Sequence, residues 1–335
     1  MKACVLHKQA PIETKPLVIE EVHTPVVWAN EIRIRIHACG VCRTDLHIVE
    51  GDLPMKRNPT IPGHQIVGAV TEIGNGVTEY KIGDRVGVAW VNQVCGVCNF
   101  CITGRENLCD SIQYTGWTTS GGFAEEIVVP VGTSYPIPKQ YDDLNAAPLL
   151  CAGIIGYRAL RLTGIDQWKG ARVGLYGFGS AGHICLQILK DWGADVYVST
   201  RDKKKHQALA EQMGAHWVGG EGDIPPDKLD AAIIFAPSGK VVPIALQGLN
   251  KGGTIVLGGI YMSDIPSLKY ELIYDERIIR SVTNYTRSDG ELFLKEAAKI
   301  GIKPEIEVFS METANEALIA LKNDAIQGSG VLEIQ

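Results

Sequence analysis

Four cysteines lie close together in the first third of the chain, and their spacing is typical of a metal site. They are Cys95, Cys98, Cys101 and Cys109. Consecutive Cys-x-x-Cys steps with small or turn-forming spacers let each sulfur face one point, as a tetrahedral zinc ion with four thiolates requires. Four protein ligands leave no open position, so the pattern predicts a structural zinc site. Unrelated buried cysteines and a zinc-ribbon nucleic-acid module are the alternatives, and the second is disfavoured because Arg105 is the only basic residue nearby.

A second set of metal-ligand types is spread over three separate segments. Cys42, His64 and Cys151 supply two thiolates and one imidazole. Three protein ligands plus a water molecule are the usual coordination of a catalytic zinc. Each residue alone is weak evidence, because His64 in a Pro-Gly-His turn can be a satisfied loop residue and Cys151 can be a small core residue. These three residues become good evidence for a catalytic zinc only in combination with the glycine-rich motif described next.

A glycine-rich turn stands between a strand-like run, residues 172–176, and an apolar helical pattern. Its glycines permit a tight turn and the close approach of a pyrophosphate to the helix N-terminus, where free N–H groups favour anions. The strand-turn-helix context predicts a dinucleotide site, and a glycine-rich packing turn is the alternative. The residues expected to contact the cofactor are Gly177, Gly179, Ser180, Ala181 and Gly182.

The end of the next strand-like run bears on the choice of dinucleotide. An NAD site places an acid there for the ribose 2′-hydroxyl, whereas an NADP site needs hydroxyls and a cation for the 2′-phosphate. This chain has Ser199, Thr200 and Arg201, and Asp202 follows beyond the expected strand end. We therefore predict NADP, with NAD as the alternative if Asp202 does more than cap a solvated helix.

The surrounding pattern suggests two kinds of architecture. The first 90 residues alternate short β-type runs with Gly/Pro punctuation, as in the period-two segment 31–36. From about residue 153, apolar runs alternate with helical spacers, which predicts βαβ units and a doubly wound parallel sheet. These runs are 172–176, 195–199, 231–235 and 254–257. After about 287 we expect a helix over 290–300, a strand near 307–309, a helix over 312–322 and a final strand.

Composition restricts the class of protein. The 335 residues are 21% charged and 45% hydrophobic, with a formal net charge of −6. These values indicate a folded chain long enough for two domains, and the acidic balance argues against a nucleic-acid partner. We see neither a signal peptide nor a run of about 18 apolar residues that would span a membrane. We expect a cytoplasmic protein whose nine cysteines are reduced and available to metals.

Together these motifs resemble the zinc-containing medium-chain alcohol dehydrogenases, and the resemblance covers essentially the full length. The matching signals, in chain order, are residues 40–45, 62–64, the four-cysteine segment, 121–125, Cys151 and 177–182. The family implies an α/β fold with two domains. One is a β-rich, GroES-like catalytic domain of residues 1–152 and 288–335, and the other is a Rossmann domain of residues 153–287.

The resemblance also assigns roles near the second set of ligands. Cys42, His64 and Cys151 would hold the catalytic zinc, with Asp45 accepting the other ring N–H of His64. Thr44 would bind the substrate oxygen and pass its proton through the ribose hydroxyl to His47, unless His47 is only structural. The resemblance further implies that Arg43 would contact the pyrophosphate. The family thus implies two zinc ions per chain, the second being structural.

Further residues follow from the same resemblance. Trp90 and Trp117 would line the substrate pocket, although core aromatics are an equal alternative. Contacts to the cofactor would come from Ala236, Gly258, Ile260 and Arg287.

The activity implied is zinc-dependent interconversion of an alcohol and an aldehyde or ketone by hydride transfer with NAD(P). Alternatives are a reductase of bulkier or aromatic aldehydes and a non-catalytic cofactor-binding protein with structural zinc only. Gln65, where the family usually has Glu, is the one feature that favours the last, because an amide cannot serve as a transient anionic zinc ligand. We expect a small-molecule substrate and a homo-oligomer, dimer or tetramer.

Overall fold

The computed structural model describes all 335 residues, which form two compact units. The β-rich unit comprises Met1–Cys151, Thr286–Lys295 and Glu305–Gln335. The α/β unit comprises Ala152–Tyr285 and Glu296–Pro304. Residues 296–304 therefore pack with the α/β unit, although the sequence assigned all of 288–335 to the β-rich domain. No helix is both long and apolar enough to cross a membrane.

Strands dominate the β-rich unit. They are β1 (Lys2–Leu6), β2 (Leu17–Glu21), β3 (Glu31–Val41), β4 (Gln65–Ile73), β5 (Arg85–Val88), β6 (Val91–Gln93), β7 (Gln113–Tyr114), β8 (Glu126–Pro130), β9 (Ser134–Pro136), β16 (Ile306–Ser310) and β17 (Ser329–Glu333). A seven-stranded sheet runs in the order β16-β17-β3-β4-β5-β9, with β8 paired to β3. The pairs β1–β2 and β6–β7 form two small antiparallel sheets.

Strand β3 is the centre of this unit because it pairs with three others, β4, β8 and β17. Its period-two pattern buries Ile32, Ile34 and Ile36 completely, as expected for a strand with one face in the core. The strand ends at Val41, so its last residue immediately precedes the candidate metal ligand Cys42. The helices of the unit are short: α1 (Arg43–Glu50), α2 (Asn99–Ile102), α3 (Asp143–Ala146) and α9 (Ala314–Lys322).

The α/β unit contains a six-stranded, all-parallel sheet. Its strands are β10 (Arg172–Tyr176), β11 (Asp195–Ser199), β12 (Trp217–Gly219), β13 (Leu229–Ile234), β14 (Leu249–Leu257) and β15 (Ile278–Ser281), and its helices are α4 (Ala152–Arg161), α5 (Ser180–Asp191), α6 (Ala208–Gln212) and α7 (Val241–Gly248). The spatial order β12-β11-β10-β13-β14-β15 reverses direction between β10 and β13. This is the doubly wound Rossmann order, which confirms the predicted fold class, and its reversal point is where such sheets bind ligands.

The remaining helix, α8 (Arg287–Ile300), belongs partly to each unit. The predicted runs at 172–176 and 195–199 coincide with β10 and β11. The helix predicted over 290–300 begins three residues earlier, at Arg287. Thr286, just before the helix, and Asp289, in its first turn, hydrogen-bond to each other and cap its start. The predicted helix over 312–322 begins at Ala314 after a 3₁₀ turn.

Candidate active site and metal centres

Cys42, His64 and Cys151 lie together although they are far apart in the sequence. Their ligand atoms are all within 4.8 Å of one another, and the two sulfurs are 4.0 Å apart. Zinc–sulfur bonds of about 2.3 Å at tetrahedral angles place two sulfurs about 3.8 Å apart. The donor set therefore fits a zinc ion, and three ligands leave one coordination position for a substrate.

Asp45 organises this centre from the first turn of α1. One carboxylate oxygen accepts the Cys42 N–H at 2.9 Å. The other accepts the Gly63 N–H at 3.1 Å and the His64 Nδ1–H at 3.0 Å. Because Asp45 holds Nδ1–H, Nε2 is the ring nitrogen of His64 that can bind a metal. Asp45 is completely buried, so it fixes two ligand segments at once.

The electrostatics of the centre favour a cation. Burial alone would lower the pKa of His64, but the carboxylate of Asp45 and the Cys42 sulfur outweigh it and raise the pKa to about 10. A hydrogen bond from the Cys151 thiol, helped by His64, holds the pKa of Cys42 well below its usual value despite burial. Cys42 is therefore the thiolate of the pair, and the negative potential of Asp45 and Cys42 is what a metal cation would meet.

The turn that carries His64 requires glycine. Gly63 has φ +98°, and a Cβ there would lie 2.5 Å from the Phe123 ring and 2.9 Å from the Cys39 sulfur. Cys39 is fully buried beneath this turn and is not part of the ligand cluster. The next residue, Gln65, is 3% exposed and lies over Gly40, where a Cβ would be 2.8 Å from its amide oxygen.

The other residues expected around this centre lie on α1. The Thr44 hydroxyl oxygen is 3.6 Å from the Cys42 sulfur, so it borders the metal position. The His47 ring is held through Nδ1 by Asp52 at 2.8 Å. Arg43 forms an ion pair with Asp324 after the end of α9.

Three aromatic rings form a stack beside His64. Trp90 meets the His64 ring edge to face at 4.9 Å, and it stacks on Tyr114 at 4.9 Å and on Trp117 at 6.0 Å. Trp90 and Trp117, which the resemblance assigns to a substrate pocket, both belong to this stack, and the sequence analysis did not single out Tyr114. No local pattern marks Tyr114, because its position in the stack comes from the pairing of β7 with β6.

The four-cysteine segment also converges on one point. All four sulfurs are within 4.8 Å of one another; Cys101 is 3.9 Å from Cys95 and 3.6 Å from Cys98. The N–H groups of Val97 and Cys98 lower the pKa of Cys95 to about 6. These spacings fit a zinc ion held by four thiolates, with no position open to a substrate.

The glycine turn of the α/β unit has the shape of a phosphate cradle. Gly177 has φ +95°, and a Cβ there would lie 2.9 Å from the Ala236 nitrogen. A Cβ on Gly182 would lie 2.7 Å from the Gly177 carbonyl oxygen. Around Gly179, by contrast, nothing lies within 4 Å of the Cβ position. This open side, at the N-terminus of α5, fits a pyrophosphate.

Further predicted cofactor contacts lie at the carboxyl ends of the parallel strands, as the glycine turn does. Ala236 and Gly258 follow β13 and β14, and Gly177 follows β10. The Gly258 N–H bonds to the Ile234 carbonyl at 2.8 Å, and Ile260 is 47% exposed just beyond it.

At the end of β11 the structure modifies the predicted 2′-phosphate site. Ser199 donates its hydroxyl proton to the Gly220 carbonyl at 2.8 Å, so it has no proton left to donate to a phosphate. Thr200 is 7% exposed and Arg201 is exposed. Asp202 accepts the N–H groups of Lys204 and Lys205 at 2.8 and 2.9 Å. Its carboxylate acts as a helix cap.

The structure places Arg287, an expected cofactor contact, at the start of α8. Its guanidinium donates to the Gly132 carbonyl at 2.6 Å and to Glu291 at 2.8 Å, and it lies 4.2 Å from the centre of the Tyr135 ring. Its backbone N–H bonds to Glu106 at 2.6 Å. Through these contacts, which all lie within the β-rich unit, Arg287 stabilises the start of α8.

Comparisons with known proteins agree with this geometry. Residues 29–139 match the alcohol dehydrogenase GroES-like domain family, and residues 181–299 match the zinc-binding dehydrogenase family. A probable alcohol dehydrogenase of Mycobacterium tuberculosis is 44% identical over 340 residues, covering 100% of this chain and 97% of that protein. This chain belongs to the zinc-type medium-chain alcohol dehydrogenases.

Solved structures show the same fold. A cinnamyl alcohol dehydrogenase of Sorghum bicolor superposes with a TM-score of 0.90 at 26% identity, covering 99% of this chain and 97% of that one. A cobalt- and zinc-bound alcohol dehydrogenase of Pyrobaculum aerophilum superposes with a TM-score of 0.87 at 26% identity, covering 99% of each chain. The protein is thus an oxidoreductase that interconverts alcohols and aldehydes with zinc and a nicotinamide cofactor.

Proposed function

We propose that the enzyme works at a zinc ion held by Cys42, His64 and Cys151, that it prefers NADP(H), and that a second, structural zinc occupies the four-cysteine segment. The observation that carries this proposal is the convergence of three ligand atoms from three segments within 4.8 Å. A zinc ion there supplies Lewis-acid polarisation of the substrate oxygen.

The protein residues around this position have separate tasks. Asp45 keeps the His64 ring in the tautomer that presents Nε2. Thr44 would bind the substrate oxygen, because its hydroxyl borders the Cys42 sulfur. His47, with its ring fixed by Asp52, would take up the proton that leaves an alcohol.

The Cys42→Ser variant tests the proposal. We expect wild-type protein to contain two zinc ions per chain and the variant one, with alcohol turnover reduced by at least about a thousandfold because the Lewis acid supplies several kcal/mol. Zinc is measured by elemental analysis and folding by circular dichroism. Cys4→Ser, a buried thiol outside both clusters, is the control. Full activity of Cys42→Ser would refute the mechanism.

The preference for NADP(H) is supported by the end of β11. Asp202 is occupied as a cap, and Thr200 and the exposed Arg201 stand at the strand end, where an NADP site has a hydroxyl and a cation for the 2′-phosphate. Arg201→Ala should raise the Kd for NADPH by about tenfold or more, the value of a charge-assisted hydrogen bond, and leave NADH binding unchanged. Lys251→Ala, an exposed charge in the same unit, is the control. Tighter binding of NADH than NADPH by the wild type would contradict the preference.

The aromatic stack favours a second candidate for the substrate, a planar aromatic aldehyde or alcohol. Trp90, Tyr114 and Trp117 present parallel rings beside His64, with interplanar angles of 14° to 29°. Ring stacking is worth about 0.5–1.5 kcal/mol per pair. A panel of aliphatic and aryl aldehydes tests this: Trp117→Leu should reduce kcat/KM for aryl substrates about three- to tenfold and for acetaldehyde hardly at all.

We also propose a homo-oligomer in a reducing compartment such as the cytoplasm, since zinc-binding thiols must stay reduced. Strand β15 is one of the two edge strands of the parallel sheet, and its Ile278 is 51% exposed. Two copies of such an edge can pair about a two-fold axis. Light scattering should give a multiple of the chain mass, and Ile278→Lys should lower it.

A further inference from the structure

A π-helical turn follows β11, just beyond the strand end where an NADP site has its 2′-phosphate. It comprises Lys203–Gln207 and continues directly into α6. The Gln207 N–H bonds to the Asp202 carbonyl at 2.9 Å, a step of five residues instead of the usual four. Single π-helical turns are rare, and they occur frequently at functional sites. The turn is therefore a candidate for contact with a ligand.

Both ends of this turn are anchored beside the parallel sheet. At its start, Asp202 caps the helix. At its end, the buried Gln207 amide donates to the Thr200 carbonyl at 2.7 Å and to the Gly219 carbonyl at 3.3 Å. Thr200 follows β11 and Gly219 ends β12. The backbone position of His206, the residue before Gln207, is therefore fixed against the carboxyl ends of two strands.

The His206 ring lies near both the end of β11 and the glycine turn. The Lys205 N–H, more than any other group, holds the pKa of Asp202 below its usual value, and the nearby His206 acts in the same direction. Burial lowers the pKa of His183 to about 4, and His206 contributes to that shift as well. His183 belongs to α5, and its Nδ1 is 3.1 Å from the Gly179 carbonyl oxygen. Because such electrostatic effects weaken with distance, His206 is close to residues at both places.

The two nitrogens of the His206 ring have different surroundings. Nδ1 is buried and has no hydrogen-bonding partner, whereas the residue as a whole is partly exposed. A neutral imidazole carries its proton on one nitrogen only, and a buried N–H without an acceptor is rarer than an unpartnered acceptor. This assigns the proton of the neutral ring to Nε2. The accessible edge of the ring therefore offers an N–H donor.

We propose that His206 is a specificity-determining residue for the cofactor, whose Nε2–H donates a hydrogen bond to the 2′-phosphate of NADP(H). Doubly wound folds bind the adenosine ribose at the end of the second strand, here β11. A hydrogen bond to a charged phosphate oxygen is about twice as strong as one to a neutral hydroxyl. The inference rests on the proposed preference for NADP(H). It predicts an effect on ligands that carry a 2′-phosphate and little effect on those that do not.

Two variants separate hydrogen bonding from packing. Gln places an amide nitrogen near the position of the histidine Nε2, while Leu fills similar space without a donor. His206→Leu should raise the Kd for 2′-AMP and for NADPH about tenfold or more, the value of a hydrogen bond to a charged group. The Kd for 5′-AMP and for NADH should stay within about twofold of wild type. His206→Gln should bind all four ligands within about threefold of wild type. Dissociation constants are measured by titration calorimetry, without turnover.

The control is His216→Leu, a histidine at the other end of β11. The His216 Nδ1 lies 3.7 Å from the carboxylate of Asp195, the first residue of that strand, so its loss should leave the ratio of NADPH to NADH affinity unchanged. If His206→Leu does not fold, His206→Met replaces it.

Three results would overturn the inference alone, provided that the wild type binds 2′-AMP more tightly than 5′-AMP. They are unchanged 2′-AMP binding by His206→Leu, equal weakening of 2′-AMP and 5′-AMP, and failure of His206→Gln to retain 2′-AMP binding. A wild type that binds 2′-AMP no more tightly than 5′-AMP would overturn the proposed preference for NADP(H) as well.

Discussion

Asp45 shows how one side chain can define a metal centre. It bonds to the backbone of Cys42, to the backbone of Gly63 and to the ring of His64. A buried carboxylate is costly unless its oxygens are satisfied, and here three N–H donors satisfy them. The two segments that supply Cys42 and His64 therefore cannot separate without exposing an unpaired charge.

At the same scale, two buried tyrosines of the α/β unit give a matched stability test. The Tyr176 hydroxyl is buried without a hydrogen-bonding partner, whereas the Tyr197 hydroxyl donates to Asp227 at 2.8 Å. Tyr176→Phe should leave the free energy of unfolding unchanged or raise it by up to about 1 kcal/mol. Tyr197→Phe should lower it by about 1 kcal/mol. Urea unfolding followed by circular dichroism measures both, and a larger loss for Tyr176→Phe would contradict the assignment.

Residue types and spacing predicted both cysteine clusters but could not predict how polar side chains are shared. The Ser199 hydroxyl is taken by a carbonyl 21 residues away, and Arg287 by one 155 residues away. Such partners depend on tertiary neighbours, which periodicity does not report. The Ser199 assignment relied on strand position and the Arg287 assignment on family resemblance, and neither anticipated these contacts.

At the scale of elements, strands buried on both faces were the easiest to predict. The runs at 172–176 and 195–199 have the same bounds as β10 and β11, because continuous apolar runs bounded by glycine leave little ambiguity. The edge strands β12 and β15 lack such runs and were not predicted. Strand β14 begins at Leu249, five residues before the predicted run. The sequence analysis missed this start because the Lys251-Gly-Gly segment has little β propensity.

Helix α8 offers a prediction at this scale. Thr286 and Asp289 cap its start reciprocally: the Thr286 hydroxyl donates to the Asp289 carboxylate at 2.7 Å, and the Asp289 N–H bonds to that hydroxyl at 3.2 Å. Thr286→Ala should lower the free energy of unfolding by about 1–2 kcal/mol, because it removes the cap and a partner of a fully buried carboxylate. Thr286→Ser, which keeps the hydroxyl, should lose less than half as much. Equal losses in chemical unfolding would show that the methyl group, not the cap, is responsible.

At the scale of the whole molecule, the two clusters of metal-ligand residues belong to the same β-rich unit but have different surroundings. The cluster of Cys42, His64 and Cys151 lies among buried residues, with His64 1% exposed. The four-cysteine segment has little core of its own, since α2 contains no buried residue and Val97 is 80% exposed. We expect a segment with so little apolar burial to depend on a bound metal for its shape.

Removal of metal should therefore have two distinct effects. The three-ligand site has an open position through which a small chelator such as dipicolinate can bind, whereas four thiolates saturate the other. Loss of the first zinc equivalent should abolish the activity and leave the unfolding temperature nearly unchanged. Loss of the second should lower the unfolding temperature, because Glu106, which lies within that segment, accepts the first N–H of α8. Zinc analysis, turnover and calorimetry on the same samples measure this order, and Cys42→Ser is the control, since it should show only the second effect. Activity that survives loss of the first equivalent would mean that the segment holding Cys95 releases its metal first, and that coordination number does not determine the order.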